Sequence, residues 1–201
     1  MSAKSSFTLS VLMAIGLLLM LPATTGHAGE PPPALKEIVE TCASCHGQDG
    51  VSAIVNTPSL AGQPDIFIQY QLVFIRDGTR KVEVMQEMAK ALTDENIRDL
   101  GAYYSALPPP PALADAPAVD VAKVAAIITQ RHCDSCHKSD FSGQGETARL
   151  AGQRPDYLIK ALSDFRAGVR RGRGMGTMME VSVTLQDPDI QMIAAYLASK
   201  P

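Results

Sequence analysis

Several things are scarce in this chain, and each scarcity narrows what it does. Basic charge is not in surplus: 18 Lys and Arg stand against 21 Asp and Glu, a balance that argues against nucleic acid as a partner. No segment sustains the alternation of apolar and polar residues that marks a half-buried strand, which argues against a β-rich fold. The longest apolar run, about Phe7 to Leu21, is short of the roughly 20 residues that span a bilayer. Only four histidines and four cysteines are present in 201 residues, so any site built from them has few alternatives.

That apolar run follows Lys4 and ends at Pro22, with the small residues of Gly26-His27-Ala28 just beyond it. It reads as an export signal occupying residues 1–28 and cleaved after Ala28, giving a periplasmic protein. The alternative is an uncleaved N-terminal membrane anchor facing the periplasm. Removing residues 1–28 takes away Lys4 alone and leaves 17 basic against 21 acidic residues, a formal charge of −4.

An exported chain with four cysteines invites a reading of two disulfides. The spacing speaks against it. Cys42-Ala43-Ser44-Cys45-His46 and Cys133-Asp134-Ser135-Cys136-His137 both spell Cys-x-x-Cys-His, the attachment signature of covalent haem. Two cysteines one helical turn apart form thioethers to one haem, and the adjacent histidine faces its iron. A zinc site or a redox dithiol leaves the repeated histidine unexplained. The expected cofactors are therefore two haem c groups, attached at Cys42, Cys45, Cys133 and Cys136, with His46 and His137 on the irons.

The chain is one unit written twice. Leu60-Ala61-Gly62-Gln63 matches Leu150-Ala151-Gly152-Gln153, and Gly78 and Gly168 each stand fifteen residues beyond the Gln. The helical stretches between, Asp65–Phe74 and Asp156–Phe165, are read as ungapped counterparts. Each half closes on a further helical pattern, Ile97, Leu100, Tyr103 and Tyr104 in one and Ile190, Ile193, Tyr196 and Leu197 in the other. Thr93 is the expected N-cap of the first closing helix, and Asp187, followed by Pro188, of the second. Helical patterns also precede both haem motifs. The expected units are residues 29–107 and 121–201, joined by a semi-rigid connector over 108–120 that begins with four prolines.

An electron-carrying haem needs a second axial ligand. Histidine is nearly excluded, since His27 lies in the signal segment and His132 adjoins Cys133. Methionine is the remaining soft donor, and its thioether raises the reduction potential. Met85 lies seven residues before Leu92, and counting back seven from Leu185 gives Met178. Counting forward from Gly168 gives Met175 instead. Met85 and Met178 are the expected ligands, with Met88 the competitor of the first and Met175 and Met179 competitors of the second.

These residues resemble the class I cytochromes c, in particular the periplasmic dihaem cytochromes of the c4 type. The resemblance rests on the paired motifs, Pro58-Ser59-Leu60-Ala61-Gly62-Gln63, Phe74-Ile75-Arg76-Asp77-Gly78-Thr79-Arg80 and the methionine before each closing helix. It implies an all-α protein of two tandem cytochrome c domains about an approximate twofold axis, each wrapped around one haem. It also implies that the Pro58 carbonyl orients the proximal histidine. Ala148 replaces proline in the second half, which removes rigidity there.

The implied role is a respiratory electron carrier rather than an enzyme, with a terminal oxidase, a cytochrome complex or a dehydrogenase as redox partner, and membrane association only through such partners. The competing reading is the cytochrome subunit of a periplasmic dehydrogenase, such as a flavocytochrome sulfide dehydrogenase or an alcohol dehydrogenase. A dihaem peroxidase is disfavoured because both halves keep a methionine candidate. Charge divides unevenly, −5 over residues 29–107 and +1 over 108–201. Arg166, Arg170, Arg171 and Arg173 gather in the second half, either as a solvated loop or as a docking surface for an acidic partner.

Overall fold

The computed structural model describes residues 29–201 apart from Arg173; the expected signal segment lies outside the described residues. Among these the regular structure is helical, with one isolated bridge between Gln144 and Thr147. None of the helices is long and apolar enough to cross a membrane. The first half contains α1 (Lys36–His46), α2 (Asp65–Arg76), α3 (Glu83–Lys90) and α4 (Asp94–Ala106). The second contains α5 (Val121–Arg131), α6 (Cys133–His137), α7 (Pro155–Arg166), α8 (Gly176–Ser182) and α9 (Asp187–Ala198).

The helices sort into two small cores because each presents one apolar stripe. In the first, α2 packs on α4, with Leu35, Val39, Ile68, Leu100 and Tyr104 buried together. In the second, α7 packs on α9 around Val124, Leu158, Ile190, Ile193 and Leu197. Tyr104 stacks edge-on against Tyr103 in the first core, and Phe141 meets Tyr196 likewise in the second.

The two halves differ at their motifs. In the first, α1 runs unbroken through Cys42 and Cys45 to His46. In the second, His132 takes a left-handed conformation (φ 54°, ψ 35°), ends α5, and starts the separate short helix α6 that carries the motif. His132 is solvent-exposed there.

The helix bounds correct the internal alignment. α2 begins at Asp65 and α7 at Pro155, so the counterpart of Asp65 is Pro155 rather than Asp156. The shared arginines confirm this register. Arg76 donates to the Leu92 carbonyl at 3.0 Å and to Asp94 at 2.7 Å, and Arg166 donates to the Leu185 carbonyl at 2.9 Å and to Asp187. Asp65 and Asp156, alike in the sequence, stand one residue out of register with each other.

The closing helices start as equivalents too. Thr93 caps α4 in a reciprocal capping box with Asn96. Asp187 is not the cap of α9: Gln186 holds that position, boxed with Asp189, and Pro188 sits in the first turn. Asp187 is engaged by Arg166 and stands one residue inside the helix, where its charge favours the positive end of the helix dipole.

Residues 108–120 carry no helix and cross both halves. Gly62 (φ 67°) and Gly152 (φ 69°) are the contact points: a Cβ at Gly62 would lie 2.7 Å from Pro109 Cβ, and one at Gly152 2.5 Å from the Pro110 carbonyl oxygen. The prolines therefore lie directly on the turns that carry the repeated Gln63 and Gln153.

Candidate haem sites

A cavity of about 1110 Å³ opens across both halves, and its lining is predominantly apolar. All eight residues singled out by spacing border it: Cys42, Cys45, His46 and Met85 from the first half, Cys133, Cys136, His137 and Met178 from the second. No disulfide joins the four cysteines. Burial pushes the Cys42 and Cys133 thiols up. No cluster of three His, Cys, Asp or Glu able to hold a metal ion occurs among the described residues.

The histidines are set for a different chemistry. His46 Nδ1 lies 2.8 Å from the Pro58 carbonyl. That acceptor requires the hydrogen on Nδ1 and leaves the lone pair on Nε2. His46 Nε2 is buried and has no protein partner, an orphaned donor atom of the kind an iron takes up. Burial pushes the imidazole towards its neutral form, partly opposed by the Pro58 carbonyl. His137 repeats the arrangement, with Nδ1 2.8 Å from the Ala148 carbonyl and burial again lowering its pKa. Losing proline at position 148 therefore leaves the contact at the same length. Gly143 helps hold it: a Cβ there would lie 2.5 Å from the Ala148 oxygen.

The methionines fall on matching elements. Met85 is the third residue of α3 and Met178 the third of α8. Four residues after each, Ala89 and Ser182 are fully buried. Met88 and Met175 also border the cavity, but Met88 is 47% exposed and Met175 precedes α8. Met179 directs its methyl towards Gly168 instead.

Two further features escaped the sequence reading. The first corrects the arginine loop, because Arg170 is neither solvated nor available for docking: it is 7% exposed. Its guanidinium donates to Gln71 Oε1 at 3.1 Å and Tyr157 Oη at 3.4 Å. Arg80, its counterpart two residues after the repeated glycine, donates to the same two oxygens at 2.7 and 3.3 Å. Burial lowers the Arg170 pKa to about 10. Burial raises that of Tyr157, but Arg170 and Arg80 outweigh it and bring it down to about 8. All four residues border the cavity, and neither arginine forms an ion pair with a carboxylate among the described residues. The pair is a positive site that fits the carboxylates of haem. Arg166 is likewise occupied, by Asp187, while Arg171 is exposed and Arg173 lies outside the described residues.

The second feature crosses between the halves. Gln153 accepts from Ser59 N at 2.8 Å and donates to the Ser59 carbonyl at 2.9 Å. Gln63 accepts from Arg149 N at 3.0 Å and donates to the Arg149 carbonyl at 2.9 Å. The repeated Leu-Ala-Gly-Gln was the available signal, since a buried glutamine written twice demands a partner each time.

The site geometry has its counterpart among known proteins. Residues 34–103 match the family model of the cbb3-type cytochrome c oxidase subunit III, and residues 121–200 match that of cytochrome c. Cytochrome c4 of Azotobacter vinelandii is 32% identical, over 91% of this chain and 96% of the relative. The chain belongs to the cytochrome c4 family. The solved structure of reduced recombinant cytochrome c4 from Pseudomonas stutzeri matches with a TM-score of 0.71 at 29% identity, covering 84% of this chain and 97% of that one. A thiosulfate dehydrogenase electron acceptor of Thiomonas intermedia is 31% identical over 89% of this chain and 85% of the relative.

As a member of the cytochrome c4 family the chain is an all-α protein of two class I cytochrome c domains with two covalently bound haem c groups, and it carries electrons. When bound, each haem supplies an iron that alternates between Fe(III) and Fe(II). The chain's own residues attach it, exclude water from it and set its potential.

Proposed function

We propose that the chain is an exported, periplasmic electron carrier that takes electrons from a dehydrogenase and delivers them to a terminal oxidase. Cys42 and Cys45 anchor one haem, and Cys133 and Cys136 the other. His46 with Met85, and His137 with Met178, hold the two irons. The observation that carries this reading is His46 Nε2, buried without a protein partner in the cavity beside the paired cysteines. Met178 is favoured over Met175 because it shares the helical position of Met85. Arg80 and Arg170 receive haem carboxylates. The relative named as a thiosulfate dehydrogenase electron acceptor favours a dehydrogenase as the donor, whether it meets the carrier transiently or holds it as a subunit.

Denaturing mass spectrometry tests attachment: the expected mass is that of the chain from Gly29 with two haems, and one haem or two disulfides overturns the reading. Met85→Ala and Met178→Ala should each lower one potential and open that iron to carbon monoxide, whereas Met175→Ala should do neither. Loss of the second haem's sulfur-to-iron absorption band in Met175→Ala alone would transfer the ligand to Met175.

A further inference from the structure

The glutamine contacts between the halves meet the proximal histidines at one particular chemical group. The carbonyl that accepts from His46 belongs to Pro58, and the N–H donated to Gln153 belongs to Ser59. These are the two ends of a single peptide unit. The same holds in the second half, where the Ala148 carbonyl faces His137 and the Arg149 N–H is donated to Gln63. Each histidine is therefore the start of a chain, imidazole N–H to carbonyl, through one amide, to the side chain of a glutamine in the other half. Ser59 and Gln153 are at most 3% exposed, so water does not compete for the bonds between them; Gln63 is buried likewise, while Arg149 is half-buried.

An amide whose N–H is donated to an acceptor becomes more polarised, and its oxygen becomes a better acceptor in turn. A stronger acceptor at Nδ1 draws that proton further from the ring and makes the histidine a more basic ligand. A more basic ligand stabilises Fe(III) over Fe(II) and lowers the potential. The second glutamine bond, to the Ser59 or Arg149 carbonyl, fixes the side chain with its oxygen on the amide; the Gln153 oxygen also accepts from the Arg154 N–H, at 3.0 Å against 2.8 Å from Ser59.

We propose that Gln153 and Gln63 are positioning residues acting across the domain boundary, each lowering the potential of the haem in the opposite half by polarising the peptide that holds its proximal histidine. Gln153 acts on the haem at His46, and Gln63 on the haem at His137. The consequence is reciprocal: any movement that separates the halves releases both acceptors and raises both potentials together. This rests on His46 and His137 being the iron ligands.

The test uses the full chain carrying both haems. Histidine resonances assigned to His46 and His137 identify each haem and report ligation through their iron-induced shifts. Gln153→Met keeps the side-chain length and removes the acceptor. It should raise the midpoint of the His46 haem and weaken the hydrogen bond of the His46 Nδ1 proton, leaving the His137 haem in place. Gln63→Met should do the reverse. Gln153→Glu retains an acceptor for Ser59 N–H, so it should not raise the His46 haem, and it serves equally if the methionine variant fails to take up two haems. The inference is overturned if each Met substitution moves the haem of its own half, moves both haems alike or moves neither, or if Gln153→Glu raises the His46 haem. Absence of iron-induced shifts on His46 and His137 would instead overturn the ligation and the inference with it.

Discussion

A guanidinium is tolerated inside a protein only where acceptors surround it, and Arg170 takes both of its acceptors from residues that also serve Arg80. Two like charges held by one glutamine oxygen and one hydroxyl are left short of negative charge, which is what a haem carboxylate supplies. Replacing Arg170 by Met should cost about 1–3 kcal/mol of stability in the haem-loaded chain, measured by denaturant unfolding, because a buried hydrogen-bonded charge is lost. It should also lower a haem potential in redox titration, since removing a positive charge beside the cavity favours the oxidised iron. Arg171→Gln, at an exposed position, should change stability by less than about 0.5 kcal/mol. The attachment motifs were legible in the sequence because their chemistry is local, five consecutive residues each. Arg170 was not, because its partner Gln71 lies 99 residues away and a run of arginines looks the same whether solvated or buried.

At the scale of elements, legibility again followed locality. Thr93 was readable as the cap of α4 because its hydrogen-bonding partner Asn96 lies three residues on. Thr93→Ala should cost about 1 kcal/mol in thermal or denaturant unfolding, the usual value of an N-cap. Gln186 was not readable as the cap of α9, because glutamine is not among the favoured N-cap residues and Asp187 beside it is. Asp187 stands instead at the first helical position, where Arg166, 21 residues earlier, engages it as Arg76 engages Asp94 in the first half. The proline connector was recognisable by composition as extended, whereas its seat on Gly62 and Gly152 is a tertiary fact. Gly62→Ala should therefore cost more than a surface glycine. The left-handed conformation and the 2.7 Å approach of Pro109 together amount to about 2–5 kcal/mol. A melting temperature unchanged by that substitution would mean that the connector lifts away without loss.

For the whole molecule, the duplication was visible in the sequence as repeated words, but the way the copies face each other was not, since no residue near Gln63 announces Arg149. Charge is the global property that can be read without knowing the interface, and the structure changes which half should use it. Arg166 and Arg170 are engaged within the protein, so the second half offers an acidic partner less than its arginine count suggests. The first half keeps its formal −5. On it, α3 presents exposed Glu83, and Glu87 paired with Lys90 at 2.7 Å on the surface, where such a pair is weak, together with Val84, 67% exposed, and Met88 at the rim of the cavity. Acidic residues around an apolar rim steer a basic protein towards that edge and then let it dry the contact. A basic redox protein should accordingly exchange electrons faster at low salt, where the screening length is roughly 30 Å at 0.01 M, than at 0.15 M, where it is roughly 8 Å. Glu83→Gln combined with Glu87→Gln should slow that association at low salt and flatten its salt dependence, while Arg171→Gln should not. Stopped-flow rates that fall with salt equally in both variants and in the unaltered chain would place the docking edge elsewhere on the first half.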